Sequence, residues 1–339
     1  MGVTYIHQCD GIAVKTIETV EYEVTVAVRI EDDISYNLTK LEALTYLEHV
    51  LGIPDPISLL NKNKVAFLQE LMQQTMLKIP FTNIPSFREG KFKGLSLKEI
   101  KEAVFKREGG NCLALNTFTG AVLECLGFDV YLIGGSAQQW KVPLLNTHTA
   151  VIAKHLTSPG SLHLLDVGNR YFFPLTALDF DRISQVYPMK KWQYRFFQVS
   201  PGVVQLTRKC EPPKPGRADG LIYAESDEYW EVLMTFQTST PMKLAECQYQ
   251  NDLITQNPEM AHRVVDGFLL ISYPNNLLFN ITNNYCMIEM ETGDTEVTQV
   301  KNSLQVVDTI LKYFPQYSRN LLESMANYFT KKSQKKNIL

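Results

Sequence analysis

The hydrophobic pattern of this chain changes period once, near Gly127, and this change limits the folds open to it. Before it, from about residue 38 to 126, apolar residues recur at helical spacing, as in Leu68, Leu71 and Met72. After it come short alternating segments separated by loops rich in Pro, Gly and Asn, which are typical of strands. Strands and helices then mix in the last hundred residues. We therefore predict an α+β protein of several parts rather than a uniform helical or β fold.

The pattern predicts four parts along the 339 residues. They are an N-terminal β extension (1–35), a helical domain (36–127), a β-barrel-like domain (128–240) and an α/β segment (241–339). Predicted strands cover residues 20–30, 128–133, 147–153, 162–167, 192–199, 264–272, 278–282 and 285–290. Predicted helices cover residues 97–105, 113–126, 304–314 and 318–330, and helical patterning also appears, ambiguously, at 224–239.

Composition narrows the class of protein. A hydrophobic content of 45%, a charged content of 20% and a net charge of −3 are those of a globular protein, with no charge excess that favours nucleic acid or an anionic membrane. The six cysteines include no C-x-x-C pair, which argues against a structural zinc site and a disulfide framework. No signal-peptide-like or membrane-length apolar stretch is visible. We expect a cytoplasmic protein in a reducing compartment.

Cys112 is the first candidate for chemistry. Gly109 and Gly110 permit a tight turn, and the segment after Cys112 reads as one helix that ends at Gly127. A thiol in the first turn of a helix faces unpaired N–H groups and the positive end of the helix dipole, which favour the thiolate nucleophile. The alternative is a small buried hydrophobe.

A nucleophilic thiol needs a base, and the base needs a group that orients it. His148 begins one predicted strand and Asp166 ends the next, on the strand face of two leucines where a carboxylate needs a partner. Each of the two has a structural alternative, a satisfied strand histidine or a turn-forming aspartate. His155 and His163 are rival bases, but His155 borders a loop and His163 faces away from Asp166.

Two further positions on the predicted helix bear on the site. Asn116, four residues after Cys112, lies on the same helix face. Cys125 lies about 220° around the helix and points away.

Together these residues resemble the arylamine N-acetyltransferases. In that family an Arg-Gly-Gly-x-Cys turn opens a helix with Asn four residues on, a His begins one strand, and an Asp-x-Gly ends the next. The matching positions are Gly109, Gly110, Cys112, Asn116, His148 and Asp166–Gly168. The family's Ile-Pro-Phe-Glu-Asn loop is similar to residues 79–83, its Gly-Gly strand to Gly134 and Gly135, and its Asn…Ser/Thr-x-Pro segment faintly to residues 251–258. The likeness spans about residues 38–328.

The resemblance implies a fold and a reaction. The fold would be an N-terminal helical bundle, a central β-barrel-like domain and a C-terminal α/β lid around a cysteine-protease-like catalytic core. The reaction would be transfer of an acetyl group from acetyl-CoA to an arylamine or arylhydrazine by a ping-pong mechanism. It implies a catalytic triad of Cys112, His148 and Asp166, in a monomer that needs no metal or redox cofactor. CoA would lie near Gly134, Gly135 and Thr147, and the acceptor near Phe81.

Three departures from the family pattern leave other interpretations open. Glu108 replaces the family's arginine, Ala114 replaces a Glu or Gln, and Asp-x-Gly-Phe-Gly continues here as Asn169-Arg170 after Gly168. The alternatives are a different acyl-CoA or acceptor, a binding protein with an inactive triad, and a thiol hydrolase like papain or the transglutaminases.

Overall fold

The structure is a computed structural model that describes residues 4–9, 12–17, 35–137, 146–169, 174–189, 192–212, 222–225, 228–256, 267–282, 285–300 and 302–336. Its helices are α1 (Lys40–Thr45, continued by a π-helix at Tyr46–Val50), α2 (Pro56–Lys62), α3 (Lys64–Lys78), α4 (Leu97–Phe105), α5 (Cys112–Cys125), α6 (Leu244–Gln256), α7 (Ser303–Tyr313) and α8 (Arg319–Lys336). The predicted strand at 20–30 lies outside the described residues.

The strands form one large curled sheet, a second smaller sheet and one hairpin. They are β1 (Thr4–Cys9), β2 (Ile12–Ile17), β3 (Phe81–Thr82), β4 (Phe87–Arg88), β5 (Lys91–Phe92), β6 (Val130–Ala137), β7 (His148–Lys154), β8 (Leu162–Leu165), β9 (Thr176–Ala177), β10 (Tyr187–Met189), β11 (Trp192–Ser200), β12 (Val203–Cys210), β13 (Ile222–Glu225), β14 (Glu228–Met242), β15 (Leu269–Ser272), β16 (Phe279–Thr282), β17 (Tyr285–Glu289) and β18 (Thr295–Gln299).

The large sheet runs β1-β2-β13-β14-β6-β7-β8-β9, and it branches at β14, which also pairs with β12 and through it with β11 and β10. The described pairings in it are antiparallel. Branching lets the sheet curl around its own apolar face, where Ile133, Ile152, Phe196 and Phe236 are buried together. This half-barrel confirms the predicted β-barrel-like centre.

The other face of β7 and β8 packs on the helices. Val151 and Leu165 belong to the same buried cluster as Phe118 of α5 and Leu71 of α3. The α5 helix is apolar around most of its circumference, which is typical of a helix buried between a sheet and other helices. Its N terminus therefore lies at the junction of the helical region and the half-barrel.

The smaller sheet runs β18-β17-β16-β15-β3 and packs against α7 and α8 through a third core. Its edge strand β3 comes from the helical region, and Phe81 pairs with Ile271. Residues 79–83, which resemble a loop of the family, thus include a short strand that pairs the N-terminal region with the C-terminal sheet.

The ambiguous helical interpretation of residues 224–239 is wrong. This segment forms the end of β13 and most of β14. A β-bulge at Leu233 interrupts the pairing of β14 with β12, so that Trp230 and Val232 join one buried cluster while Met234 and Phe236 join another. In the sequence, Trp230, Leu233 and Met234 also stand at i, i+3 and i+4, which is the spacing of one face of a helix. The structure also adds β12 and α6, which the sequence pattern did not indicate.

Of the helices in the described part of the chain, none combines the length and the apolar character that a membrane crossing requires.

Candidate active site

Cys112 is the first residue of α5, as the sequence predicts. The turn before it needs glycine, because Gly109 has φ +77° and a Cβ there would lie 2.0 Å from the carbonyl oxygen of Pro80. Asn111 caps the helix, and its Oδ1 accepts a hydrogen bond from the backbone N–H of Ala114 at 3.0 Å. The thiol therefore stands where a helix leaves backbone donors without intrahelical acceptors.

The turn is also held from the C-terminal part of the molecule. Gly110 forms a bridge with Phe81, and the N–H of Thr82 donates to the Gly110 carbonyl at 2.9 Å. The Tyr317 hydroxyl, just before α8, donates to the Glu108 carbonyl at 2.6 Å. Phe81 is half-buried, and Gly110, its partner in the bridge, lies two residues before Cys112.

His148 is the first residue of β7 and is only 4% exposed. Its Nε2 lies 2.8 Å from Oδ2 of Asp166, and the Cys112 side chain interacts electrostatically with its ring and raises the pKa of the imidazole. The Cys112 sulfur lies 3.9 Å from the carbonyl oxygen of Thr147. The imidazole therefore joins the thiol to the carboxylate.

Asp166 follows the last residue of β8, is 3% exposed and accepts four hydrogen bonds. Its Oδ1 accepts from Asn116 Nδ2 at 2.8 Å and from the Gly168 N–H at 3.1 Å. Its Oδ2 accepts from His148 and from Asn169 Nδ2 at 3.1 Å. A carboxylate can be buried when its lone pairs are satisfied in this way.

The loop that carries Asp166 lies directly on the start of α5. A Cβ at Gly168 would be 2.6 Å from both Cys112 Cα and Asn116 Nδ2. Asn116 is fully buried and also accepts from the Val167 N–H at 2.9 Å, so it joins helix and loop. These contacts fix Asp166 relative to Cys112.

Electrostatics favour a charged imidazole in this site. Burial alone would lower the pKa of His148, but the Asp166 carboxylate and the Cys112 side chain outweigh it and raise the pKa to about 10. Burial would raise the pKa of Asp166, but His148, Asn116 and Asn169 hold it below its usual value. The arrangement favours an imidazolium beside the Cys112 side chain, backed by an ionised carboxylate.

The rival histidines lie elsewhere. His155 is in the loop after β7, where its Nδ1 accepts from the Gly160 N–H at 2.8 Å. His163 is buried on β8, and its Nδ1 has no hydrogen-bond partner among the described residues. Cys125, at the far end of α5, donates its thiol hydrogen to the Leu38 carbonyl at 2.8 Å.

Gly134 and Gly135, the two glycines predicted to lie near CoA, are on β6. Gly134 and Gly135 pair with Thr149 and His148. A Cβ at Gly134 would meet Asn146 Oδ1 at 2.0 Å, and one at Gly135 would meet the Met234 sulfur at 2.9 Å. Close packing therefore favours glycine over any larger residue at both positions.

Glu108 and Ala114 are the two residues near Cys112 that depart from the family motif. Glu108 is half-buried, and burial raises the pKa of its carboxyl. Ala114 packs so closely on the turn that a Cβ at Gly110 would lie 2.7 Å from the Ala114 Cβ.

Among the described residues, no group of three or more His, Cys, Asp and Glu side chains is arranged to hold a metal ion.

Sequence reasoning missed three contributors to the site. Asn111 is a cap that the Gly-Gly-Asn-Cys run itself could have indicated. Asn169 and Tyr317 gave no local signal, because their contacts with Asp166 and the thiol turn depend on loop geometry and on a segment two hundred residues away.

Comparison with known proteins agrees with this geometry. The structure of Mycobacterium marinum arylamine N-acetyltransferase in complex with CoA is 19% identical and covers 84% of this chain and 99% of its own, with a TM-score of 0.64. The enzyme from M. tuberculosis is 21% identical, with the same coverage and a TM-score of 0.61. Arylamine N-acetyltransferase C from Bacillus anthracis is 16% identical, covers 81% of this chain and 98% of its own, and has a TM-score of 0.59.

These similarities confirm the predicted fold. A search of the curated proteins found no match. The family model described as N-acetyltransferase matches residues 64–314, well over half of the chain. The chain therefore belongs to the N-acetyltransferase family that this model describes.

Proposed function

We propose that this protein transfers an acetyl group from acetyl-CoA to an arylamine or arylhydrazine through an acetyl-cysteine at Cys112. The observation that carries the proposal is the interaction of the helix-initiating thiol with His148, whose Nε2 binds the buried Asp166 at 2.8 Å. Membership of the N-acetyltransferase family and a structural neighbour in complex with CoA support it.

In the first half-reaction, the Cys112 thiolate attacks the thioester carbonyl of acetyl-CoA. The carbon–sulfur bond to CoA breaks, and the proton held by His148 goes to the departing CoA thiolate. The oxyanion of the tetrahedral intermediate would be stabilised by backbone N–H groups at the start of α5.

In the second half-reaction, the amine nitrogen attacks the acetyl-cysteine carbonyl. Neutral His148 accepts a proton from the nitrogen, the bond to the Cys112 sulfur breaks, and the amide leaves. The thiolate–imidazolium pair is then restored, and Asp166 keeps the imidazole oriented throughout.

The finer expectations follow from the same site. CoA would pass Gly134, Gly135 and Thr147, because the Thr147 carbonyl borders the sulfur. The acceptor would approach past Phe81. We also propose a monomer that works in the cytoplasm.

Intact-mass spectrometry after incubation with acetyl-CoA tests the proposal. We expect a single acetyl adduct that disappears on addition of an arylamine and is absent in C112A. C125A is the matched control, because Cys125 lies at the other end of α5 and should leave the adduct unchanged.

Two outcomes would contradict the proposal. No adduct, with Cys112 no more reactive toward an alkylating reagent than a free thiol, would indicate a binding protein. An adduct lost to water at the same rate with and without amine would indicate a thiol hydrolase.

A further inference from the structure

Asn169 makes a contact with the acid that a triad does not require. Its Nδ2 donates to Oδ2 of Asp166 at 3.1 Å, and this is the oxygen that binds His148 Nε2 at 2.8 Å. The side chain is only 9% exposed. In the motif that the sequence resembles, a phenylalanine stands at this position and offers no such donor. The contact is therefore a feature of this chain rather than of the motif.

We propose that Asn169 is a positioning residue that shares the charge of Asp166 with His148 and so limits the basicity of the imidazole. This inference rests on the proposed function where it concerns the acetyl-transfer step. Where it concerns the protonation of the Cys112 thiol, it is independent of the proposed function.

The argument starts from the lone pairs of the carboxylate. Oδ1 is held by Asn116 and by the Gly168 N–H, so the carboxyl group keeps its orientation without Asn169. Oδ2 has two donors, and each one stabilises part of its negative charge. Without Asn169, His148 is the one donor to Oδ2 that remains among the described residues, and the carboxylate binds the imidazolium more strongly.

The balance matters because His148 has two opposite tasks. It must be protonated beside the free thiolate, and it must be neutral in the acetyl-enzyme to accept the proton of the amine. Within the part of the chain that the structure describes, the charged or titratable groups that interact with it are Asp166 and Cys112. Behind Cys112, α6 contributes the buried Cys247 thiol, and burial raises its pKa to about 12, so that it stays neutral. Asp166 is thus the main control of imidazole basicity.

Two variants of the full chain separate donation from packing. N169L keeps the branched shape of the side chain and removes the donor, whereas N169S keeps a donor and loses volume. The readouts are the pH dependence of Cys112 alkylation by iodoacetamide and the rate at which an arylamine discharges the acetyl-enzyme. N280L is the control, because Oδ1 of Asn280, on β16 in the other sheet, has no hydrogen-bond partner among the described residues.

In N169L we expect the alkylation midpoint to move to lower pH, because a more basic imidazole stabilises the thiolate. Discharge by the amine should slow about threefold to tenfold at neutral pH, the equivalent of one net hydrogen bond. N169S should lie between N169L and the wild type, and N280L should match the wild type.

An alkylation midpoint in N169L that is unchanged or moves to higher pH would overturn the proposal. Greater impairment in N169S than in N169L would also overturn it, because that result would show that Asn169 acts through packing rather than through its hydrogen bond. Iodoacetamide needs neither acyl donor nor acceptor. If the wild type transfers no acetyl group, the proposed function fails while the alkylation midpoint still decides the role of Asn169.

Discussion

At the scale of single residues, the site is a short chain of hydrogen bonds between side chains that would each be unfavourable to bury alone. Asp166 is a carboxylate in an apolar half-barrel, and four donors compensate for the loss of water. His148 has the carboxylate on one side and Cys112 on the other. The burial of each group therefore depends on the charge of its neighbour. For this reason the free energy of unfolding should depend on pH.

The ion pair of His148 with Asp166 gives the sign of that dependence. The pKa of His148 is raised from 6.5 to about 10, so its contribution is complete below pH 6.5 and is lost as the pH rises toward 10. The pKa of Asp166 is lowered from 3.8, so its contribution is present above that pH and is lost on acidification below it. We expect the difference in unfolding free energy between the wild type and H148Q, from urea titrations, to be largest at about pH 5 to 6.5. A difference that increases from pH 7 to 9 would contradict the pairing.

At the scale of secondary-structure elements, the start of α5 is the part on which the site depends most. Asn111 caps the helix through Ala114 and also donates from Nδ2 to Asn251 Oδ1 of α6 at 2.6 Å. The cap thus holds the nucleophile's helix against a second helix. Removal of the Asn111 cap should therefore affect the reactivity of Cys112 as well as the stability of the protein.

We expect N111A to lower the free energy of unfolding by about 1 kcal/mol and to slow the alkylation of Cys112. N63A is a matched control, because Asn63 caps α3 through the Ala66 N–H at the same distance, 3.0 Å, away from the site. It should cost similar stability and leave alkylation unchanged. Equal alkylation rates in the two variants would show that the cap is only structural.

Elements also show where sequence reasoning succeeds and where it stops. The α5 helix, the first turn at Cys112 and the face of Asp166 follow from local signals: a glycine turn, a helix-ending glycine and strand alternation. The strand β14 does not, because Trp230, Leu233 and Met234 stand at the i, i+3 and i+4 spacing that is also typical of a helix. The contacts of Asn169 and Tyr317 could not be predicted either, since no local pattern encodes a loop-to-helix or long-range hydrogen bond.

At the scale of the whole molecule, three buried cores meet around the thiol turn. The helical core holds the body of α5, the half-barrel holds His148, and the C-terminal core holds Tyr317. The Tyr317 hydroxyl is the contact that joins the C-terminal segment to Glu108, four residues before the nucleophile. Removal of the Tyr317 hydroxyl should therefore change the reactivity of Cys112.

We expect Y317F to lower the free energy of unfolding by about 1 kcal/mol and to slow the alkylation of Cys112. The control is Y131F, which removes a similar hydroxyl-to-carbonyl bond, from Tyr131 to Thr238 at 2.7 Å, within the half-barrel. Urea unfolding and iodoacetamide kinetics measure both effects. If Y131F slows alkylation as much as Y317F, the C-terminal contact has no special effect on the turn.

The pairing of β3 with β15 has a consequence for how the protein is made. Phe81 and Thr82 meet partners almost two hundred residues later in the chain, and the same two residues contact Gly110 beside the thiol. During synthesis on the ribosome, Cys112 leaves the exit tunnel long before the strand β15 that supports its turn. The turn at Cys112 is therefore without this support until translation is almost complete, and its final conformation forms late.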